Sequence, residues 1–217
     1  MKCRGHETRE QIVRDYVVEP VAHIQLLNGQ TKHSDAGALL ENDYYIFKVT
    51  DRDNGENKDT IQCGMDAAKD FLDMLEHDGL PLFNPLRGDG NGGNGGNGDN
   101  GGGNGGPAEA WDPLAKQLYN AIMWIIILID AAPNTVIYDL KEEVEEFRAR
   151  SPYGKKIRAV NTIIRECFNK ETLTSVINKQ RLQNVLRDDL CQFNLIQDAF
   201  ENMTDRNGNR IVVESFF

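Results

Sequence analysis

The chain has 217 residues, of which 40% are hydrophobic and 27% charged, and its formal net charge is −10. This is the composition of a globular protein, and the length suits one or two domains. Acidic residues are concentrated early: residues 1–86 hold 9 Lys and Arg against 16 Asp and Glu, a net charge of −7. Because negative charge repels phosphate backbones, residues 1–86 are not expected to bind nucleic acid.

The sequence predicts a soluble, cytoplasmic protein. Its first ten residues, MKCRGHETRE, are polar and lack the apolar region of a secretory signal. The longest apolar run, residues 121–129, is far shorter than the roughly 20 residues that cross a bilayer, so no membrane partner is expected. Without a secretory signal, the four cysteines are expected to be reduced: Cys3, Cys63, Cys167 and Cys191.

The chain is divided by residues 87–107, which consist almost entirely of Gly and Asn. Glycine loses much backbone freedom on folding, and nothing in this stretch can be buried to offset that loss. We therefore predict a flexible Gly/Asn-rich linker with a span of about 25 Å. It serves either as a spacer between two binding surfaces or as an expanded surface loop. On this prediction, residues 1–86 form a small α+β domain and residues 108–217 an α-helical domain.

The predicted domain of residues 1–86 is built on one β-hairpin and two helices. Thr8 and Gln11 have the spacing of a capping pair, and Pro20 should end or kink the helix that they begin. The remaining predictions are helix or strand over 21–27, polar loop over 30–37, hairpin strands over 43–50 and 59–63, helix over 65–77 and an extended segment over 80–86.

Residues 108–217 read as a bundle of five helices. Asp112 and Pro113 suit the N-cap and first position of a helix. The periodicity predicts helices over 114–130, 136–150, 153–169, 171–187 and 188–203. The apolar tail, residues 211–217, either docks on its own core or presents Phe216 and Phe217 to a partner. Basic residues between Lys155 and Arg165 could contact phosphates or pair with the preceding Glu-rich helix.

A small domain such as residues 1–86 has little core, so a metal ion would help to stabilise it. Cys3 and His6 have the short spacing of a zinc knuckle, and Cys63 lies where a strand turns into a helix. The candidate zinc ligands are therefore Cys3, His6 and Cys63, with a fourth from His23, His33 or His77. The alternative is that Cys63 is simply a small apolar core residue and that no cofactor is bound.

Two functions are compatible with these features. The first is a non-catalytic interaction or adaptor protein that binds a protein partner or self-associates, since no catalytic set is recognisable. The second is a metal-dependent enzyme acting on nucleic acid or a nucleotide, with a site between the two halves. That site would draw on His6, Asp43, Asp51 and Glu56.

Overall fold

The computed structural model describes residues 1–53, 55, 57–88, 110–133, 135–204 and 207–217. The chain divides into two compact units, Met1–Ala108 and Glu109–Phe217. The first combines strands and helices and the second is helical, so the predicted α+β class is confirmed. Beyond Arg87 and Gly88, the predicted linker of residues 87–107 lies outside the described residues and stays a prediction.

The first unit is built on a three-stranded antiparallel sheet in the order β1-β4-β5. Its elements are α1 (His6–Asp15), β1 (Tyr16–Gln25), β2 (Lys32–His33), β3 (Leu39–Leu40), β4 (Asp43–Asp51), β5 (Asn57–Cys63) and α2 (Met65–Met74). β2 and β3 pair separately as a short antiparallel ribbon. The predicted hairpin is confirmed as β4 and β5, with Phe47 opposite Ile61.

The core of this unit lies between the sheet and its two helices. Tyr45, Phe47 and Val49 alternate along β4, so they point to one face of the sheet. Phe71 of α2 packs on that face, with its ring centroid 5.1 Å from that of Phe47. Ile12 of α1 is buried in the same cluster. The alternation of β4 therefore determines where both helices dock.

The predicted helix up to Pro20 is wrong beyond Asp15, because residues 16–25 form β1. Two adjacent valines, Val17 and Val18, favour extended backbone. Pro20 is accommodated inside the strand because the pairing register shifts between Pro20 and Ala22, as at a β-bulge. Phe83 bridges the other edge of β1, donating to the His23 carbonyl, so the predicted extended segment 80–86 lies along the sheet.

The second unit consists of helices around one apolar helix. Its elements are α3 (Pro113–Ile129), α4 (Val136–Glu146), α5 (Gly154–Cys167), α6 (Leu173–Gln180), a 3-10 turn (Asp188–Leu190) and α7 (Asn194–Glu201). Asp112 is the predicted cap of α3, accepting a hydrogen bond from the Ala115 amide at 2.9 Å. α3 is buried nearly all round between Asn120 and Ile127 and contacts α4, α5, α6 and α7.

The predicted helices 171–187 and 188–203 are both too long. α6 ends at Gln180, and residues 188–203 contain only the 3-10 turn and α7. Leu182 is 87% exposed whereas Leu186 is 2% exposed. In a continuous helix these residues, four apart, would share one face. The chain must therefore leave the helix between them to bury Leu186.

The apolar tail docks on its own unit. Phe216 and Phe217 are both buried, and the Phe217 ring lies 5.9 Å from that of Phe200. The amide of Asn161 on α5 holds the tail from both sides: its nitrogen donates to the Glu214 carbonyl, and its oxygen accepts from the Phe216 amide. The alternative of a tail presented to a partner is therefore wrong for these two rings.

None of the helices that the structure describes combines the length and apolar character that a membrane crossing requires.

Candidate functional site

A cleft of about 350 Å³ opens at the turn between α4 and α5 in the second unit. We call it the α4–α5 cleft. It is lined by Ala115, Glu143, Val144, Phe147, Arg150, Ser151, Pro152, Tyr153 and Lys156. The lining comes from the start of α3, the end of α4, the connecting turn and the start of α5.

The local sequence explains why a cleft forms here. α4 ends at Glu146, and Pro152 prevents its continuation because proline disfavours helical backbone in the residue before it. Tyr153 is extended at the N-cap of α5. The Asp112 amide donates to the Arg148 carbonyl at 2.8 Å, which fixes the turn to the beginning of α3. The turn therefore has a defined position, although it belongs to no helix.

The cleft joins an exposed aromatic surface to cationic groups. The Phe147 side chain is 41% exposed and that of Tyr153 is 80% exposed. Lys156 Nζ lies 5.3 Å from the Phe147 ring centroid and the Arg150 guanidinium carbon 5.8 Å from it, both in cation–π range. Large exposed rings beside fixed cations are typical of binding surfaces.

The two cations of the cleft differ in their partners. Lys156 Nζ forms an ion pair with Glu143 at 2.8 Å, so its charge is already matched. Arg150 has no carboxylate partner among the residues that the structure describes; its guanidinium contacts only the Phe147 ring. An anionic group entering the cleft would therefore meet a guanidinium free to donate hydrogen bonds.

The chemistry of the lining supports binding more than catalysis. It includes no His or Cys, and Ser151 has no general base within the lining to activate its hydroxyl. A second, more open depression on α6 is lined by Thr172, Ser175, Lys179 and neighbouring residues. Its lysine already pairs with Glu171 at 2.5 Å, so it offers no unmatched charge. The α4–α5 cleft is the better candidate site.

The structure brings together two of the three predicted zinc ligands. Cys3 and Cys63 are both 0% exposed in the core of the first unit, and their thiols are hydrogen-bonded. His6 instead donates to Asp70 at 2.8 Å, and its side chain is 62% exposed. The buried position of Cys63 agrees with the alternative that it is a core residue.

The proposed fourth ligands are engaged elsewhere or exposed. His23 donates to the Asp43 carboxylate at 2.7 Å and to the Leu80 carbonyl at 3.2 Å, and it stacks on Tyr45. His77 accepts from the Gly79 amide. His33 lies exposed on β2. Across the described ranges, no three His, Cys, Asp or Glu side chains are grouped so that they could hold a metal ion. The zinc prediction is thus unsupported here and stays a prediction.

The residues named for a metal-dependent enzyme are likewise not gathered. Asp43 pairs with His23, and the Asp51 carboxylate accepts from the Asp53 amide at 2.8 Å, closing a local turn. His6 faces Asp70, as described above, and Glu56 lies outside the described residues. The enzyme hypothesis stays a prediction.

Sequence reasoning did not find the cleft. It predicted that basic residues of α5 could pair with the Glu-rich helix, and this is confirmed for Lys156 with Glu143. It read Ser151 and Pro152 only as a helix stop. The available signal was the combination of that stop with Phe147, Arg150 and Tyr153 around it, since a proline-bound turn holds flanking aromatic and cationic side chains in fixed positions.

The fold and the cleft define an α+β protein whose helical unit carries a candidate binding site without evident catalytic groups. Residues 1–205 match the family described as "Uncharacterised conserved protein UCP028583", and the chain belongs to this family. The match begins in the first unit and ends in the second, so one family spans both. Comparisons with curated proteins and with solved structures gave no match.

Proposed function

We propose that the protein is a non-catalytic interaction protein and that its α4–α5 cleft binds a short acidic segment of another protein. The observation that carries this proposal is the Arg150 guanidinium, which lies against the exposed Phe147 ring without a carboxylate partner among the described residues. A carboxylate from a partner would complete that group with charge-assisted hydrogen bonds.

The shape of the cleft supports a segment of extended chain. A volume of about 350 Å³ is at the small end of ligand sites and has room for one or two side chains. Phe147, Pro152 and Tyr153 offer apolar contact, while Arg150 selects a negative charge. The expected motif therefore has Asp or Glu next to an aromatic or aliphatic residue.

The test is selection of random 12-residue peptides, displayed on phage, against the purified full chain. We expect the enriched peptides to share an acidic residue beside an apolar one. The best peptide is then measured by fluorescence polarisation against wild type and Arg150→Glu. Loss of one charge-assisted hydrogen bond costs about 1.5–3 kcal/mol, so binding should weaken at least about tenfold.

Arg165→Glu is the matched control. It makes the same charge change on exposed α5, where Arg165 pairs with its neighbour Glu166, and it should leave the affinity unchanged. The proposal fails if no peptide is enriched, if the enriched peptides lack acidic residues, or if Arg150→Glu binds as well as wild type. Light scattering tests self-association: a dimer of wild type that Arg150→Glu dissociates would make a second copy the occupant instead.

A further inference from the structure

Cys3 and Cys63 are placed as a pair in the core of the first unit, a feature independent of the proposed binding function. Both thiols are free and 0% exposed, and both belong to one apolar cluster that includes Phe47 and Phe71. The Cys63 thiol donates a hydrogen bond to the Cys3 sulfur. Two thiols in hydrogen-bond contact are close enough to react with one another after a small adjustment.

The backbone holds the two cysteines in this relation through Asp35. The Cys3 amide donates to the Asp35 carbonyl at 3.1 Å, and the Asp35 amide donates to the Gln62 carbonyl at 2.7 Å. The Asp35 carboxylate accepts from the Gln62 amide at 2.9 Å. Cys63 follows Gln62 directly, so these contacts fix the ends of both cysteines.

Electrostatics make the two thiols unequal. The hydrogen bond from Cys63 lowers the pKa of Cys3, although burial and the Asp35 carboxylate oppose this; the Arg9 guanidinium adds to the lowering. The same hydrogen bond, together with burial, raises the pKa of Cys63 well above its ordinary value. A thiolate at one cysteine and a proton retained by its neighbour are the arrangement of an attacking and a resolving thiol.

We propose that Cys3 and Cys63 form a peroxide-sensitive dithiol that closes to an intramolecular disulfide. The Cys3 thiolate attacks one oxygen of hydrogen peroxide, forming a sulfenic acid; the O–O bond breaks and the other oxygen leaves as water after taking up a proton. The Cys63 thiol then attacks the Cys3 sulfur, loses its proton and displaces the sulfenic oxygen as a second water. Two thiols are oxidised by two electrons and one peroxide is reduced.

Access to the pair requires only a local opening. Cys3 is covered by the segment before Arg4, which is attached to β5 by the Met1 ammonium, bound to the Thr60 carbonyl at 2.8 Å and the Asp59 carboxylate at 2.9 Å. Lys2 between them is 84% exposed. Lifting this short segment exposes Cys3 without separating the strands of the sheet, and openings of this kind are far less costly than global unfolding.

The experiment treats the reduced full chain with a small excess of hydrogen peroxide, then alkylates it under denaturing conditions. Disulfide closure lowers the intact mass by about 2 Da and protects two thiols from alkylation. Non-reducing peptide mapping should show Cys3 linked to Cys63 in monomeric protein. Dithiothreitol should restore both thiols. In Cys63→Ser the link is absent, and Cys3 should instead proceed to sulfinic acid.

Cys167→Ser is the matched control, because Cys167 is exposed and lies on α5; it should leave the Cys3–Cys63 link unchanged. The proposal is overturned if wild type loses no mass while Cys3 and Cys63 remain alkylatable. It is also overturned if elemental analysis finds one zinc per chain that Cys3→Ser abolishes, since the pair would then be a metal site. The wild-type measurements decide both points even where a variant fails to fold.

Discussion

Asp70 on α2 joins α1 to α2 through two basic side chains. Its carboxylate accepts from Arg9 Nε at 2.5 Å and from His6 Nδ1 at 2.8 Å. Partial burial would raise the pKa of this carboxyl, but the hydrogen bonds and charges of Arg9 and His6 outweigh it and leave the pKa lowered. A lowered pKa contributes stability above the unfolded value near 3.9, and this is lost as the pH falls through the folded value.

We therefore expect Asp70→Asn to destabilise the first unit by about 1 kcal/mol at pH 7, in the range of a partly exposed ion pair. The difference from wild type should shrink below about pH 4, where the wild-type carboxyl becomes protonated. Urea unfolding at pH 7 and at pH 3, followed by far-UV circular dichroism, measures both values. Asp73→Asn, an exposed carboxylate on the same helix, should change stability little at either pH. An equal loss from Asp70→Asn at both pH values would contradict this account.

At the level of elements, α5 positions the tail through one side chain. Asn161 is buried, and both ends of its amide bind tail backbone, at 2.9 Å to the Glu214 carbonyl and 2.7 Å from the Phe216 amide. The Leu173 amide donates to the Phe216 carbonyl, so α6 also holds the tail. The buried rings of Phe216 and Phe217 depend on these backbone contacts for their position.

Asn161→Ala should release the tail from α5. The variant leaves a buried amide and a buried carbonyl without partners, which costs about 2–4 kcal/mol for two groups. Hydrogen exchange measured by mass spectrometry should show faster exchange in residues 211–217, and the midpoint of urea unfolding should fall. Thr162→Ala is the control, since its hydroxyl donates only to the Arg158 carbonyl at an exposed position. Unchanged exchange in the tail would show that the rings alone hold it.

The elements that the sequence predicted are those where one pattern has one solution. The aromatic and β-branched alternation of β4 can be buried only as a strand, and Asp112 with Pro113 begins α3 as expected. The prediction was wrong at residues 181–187, where the pattern continues a helix but burial of Leu186 requires the chain to leave it. It was wrong at residues 16–19 because helix and strand both suit a short apolar run, and pairing with β4 decided between them.

The sites were harder to predict, because they depend on contacts between distant residues. Cys3 and Cys63 were correctly suspected as neighbours, but nothing in their spacing showed that His6 would turn to Asp70. Lys141 is buried within amphipathic α4, where it reaches Glu145 at 2.5 Å and faces the Tyr119 ring at 5.9 Å. The cleft requires that α3 be fixed against the α4–α5 turn, as it is through Asp112 and Arg148. Such contacts exist only in the folded chain.

For the whole molecule, each of the two compact units has its own core. The first buries Phe47, Phe71 and their neighbours between sheet and helices. The second buries Trp124, whose indole nitrogen donates to the Leu190 carbonyl at 2.9 Å. A core of this kind in about 100 residues is enough for independent stability. The sequence indicated the same division through the composition of residues 87–107.

We therefore expect residues 1–108 and residues 109–217 to fold when produced separately. Each should unfold cooperatively with a free energy of about 5 kcal/mol, at the lower limit for small domains. Their far-UV circular dichroism spectra should sum to that of the full chain. Because both tryptophans, Trp111 and Trp124, belong to the second unit, its fluorescence should match that of the intact protein. Residues 1–63, which lack α2 and Phe71, are the control and should be unfolded, since the core face of β4 would be left uncovered. A random-coil spectrum from either long fragment would show that its core depends on the rest of the chain.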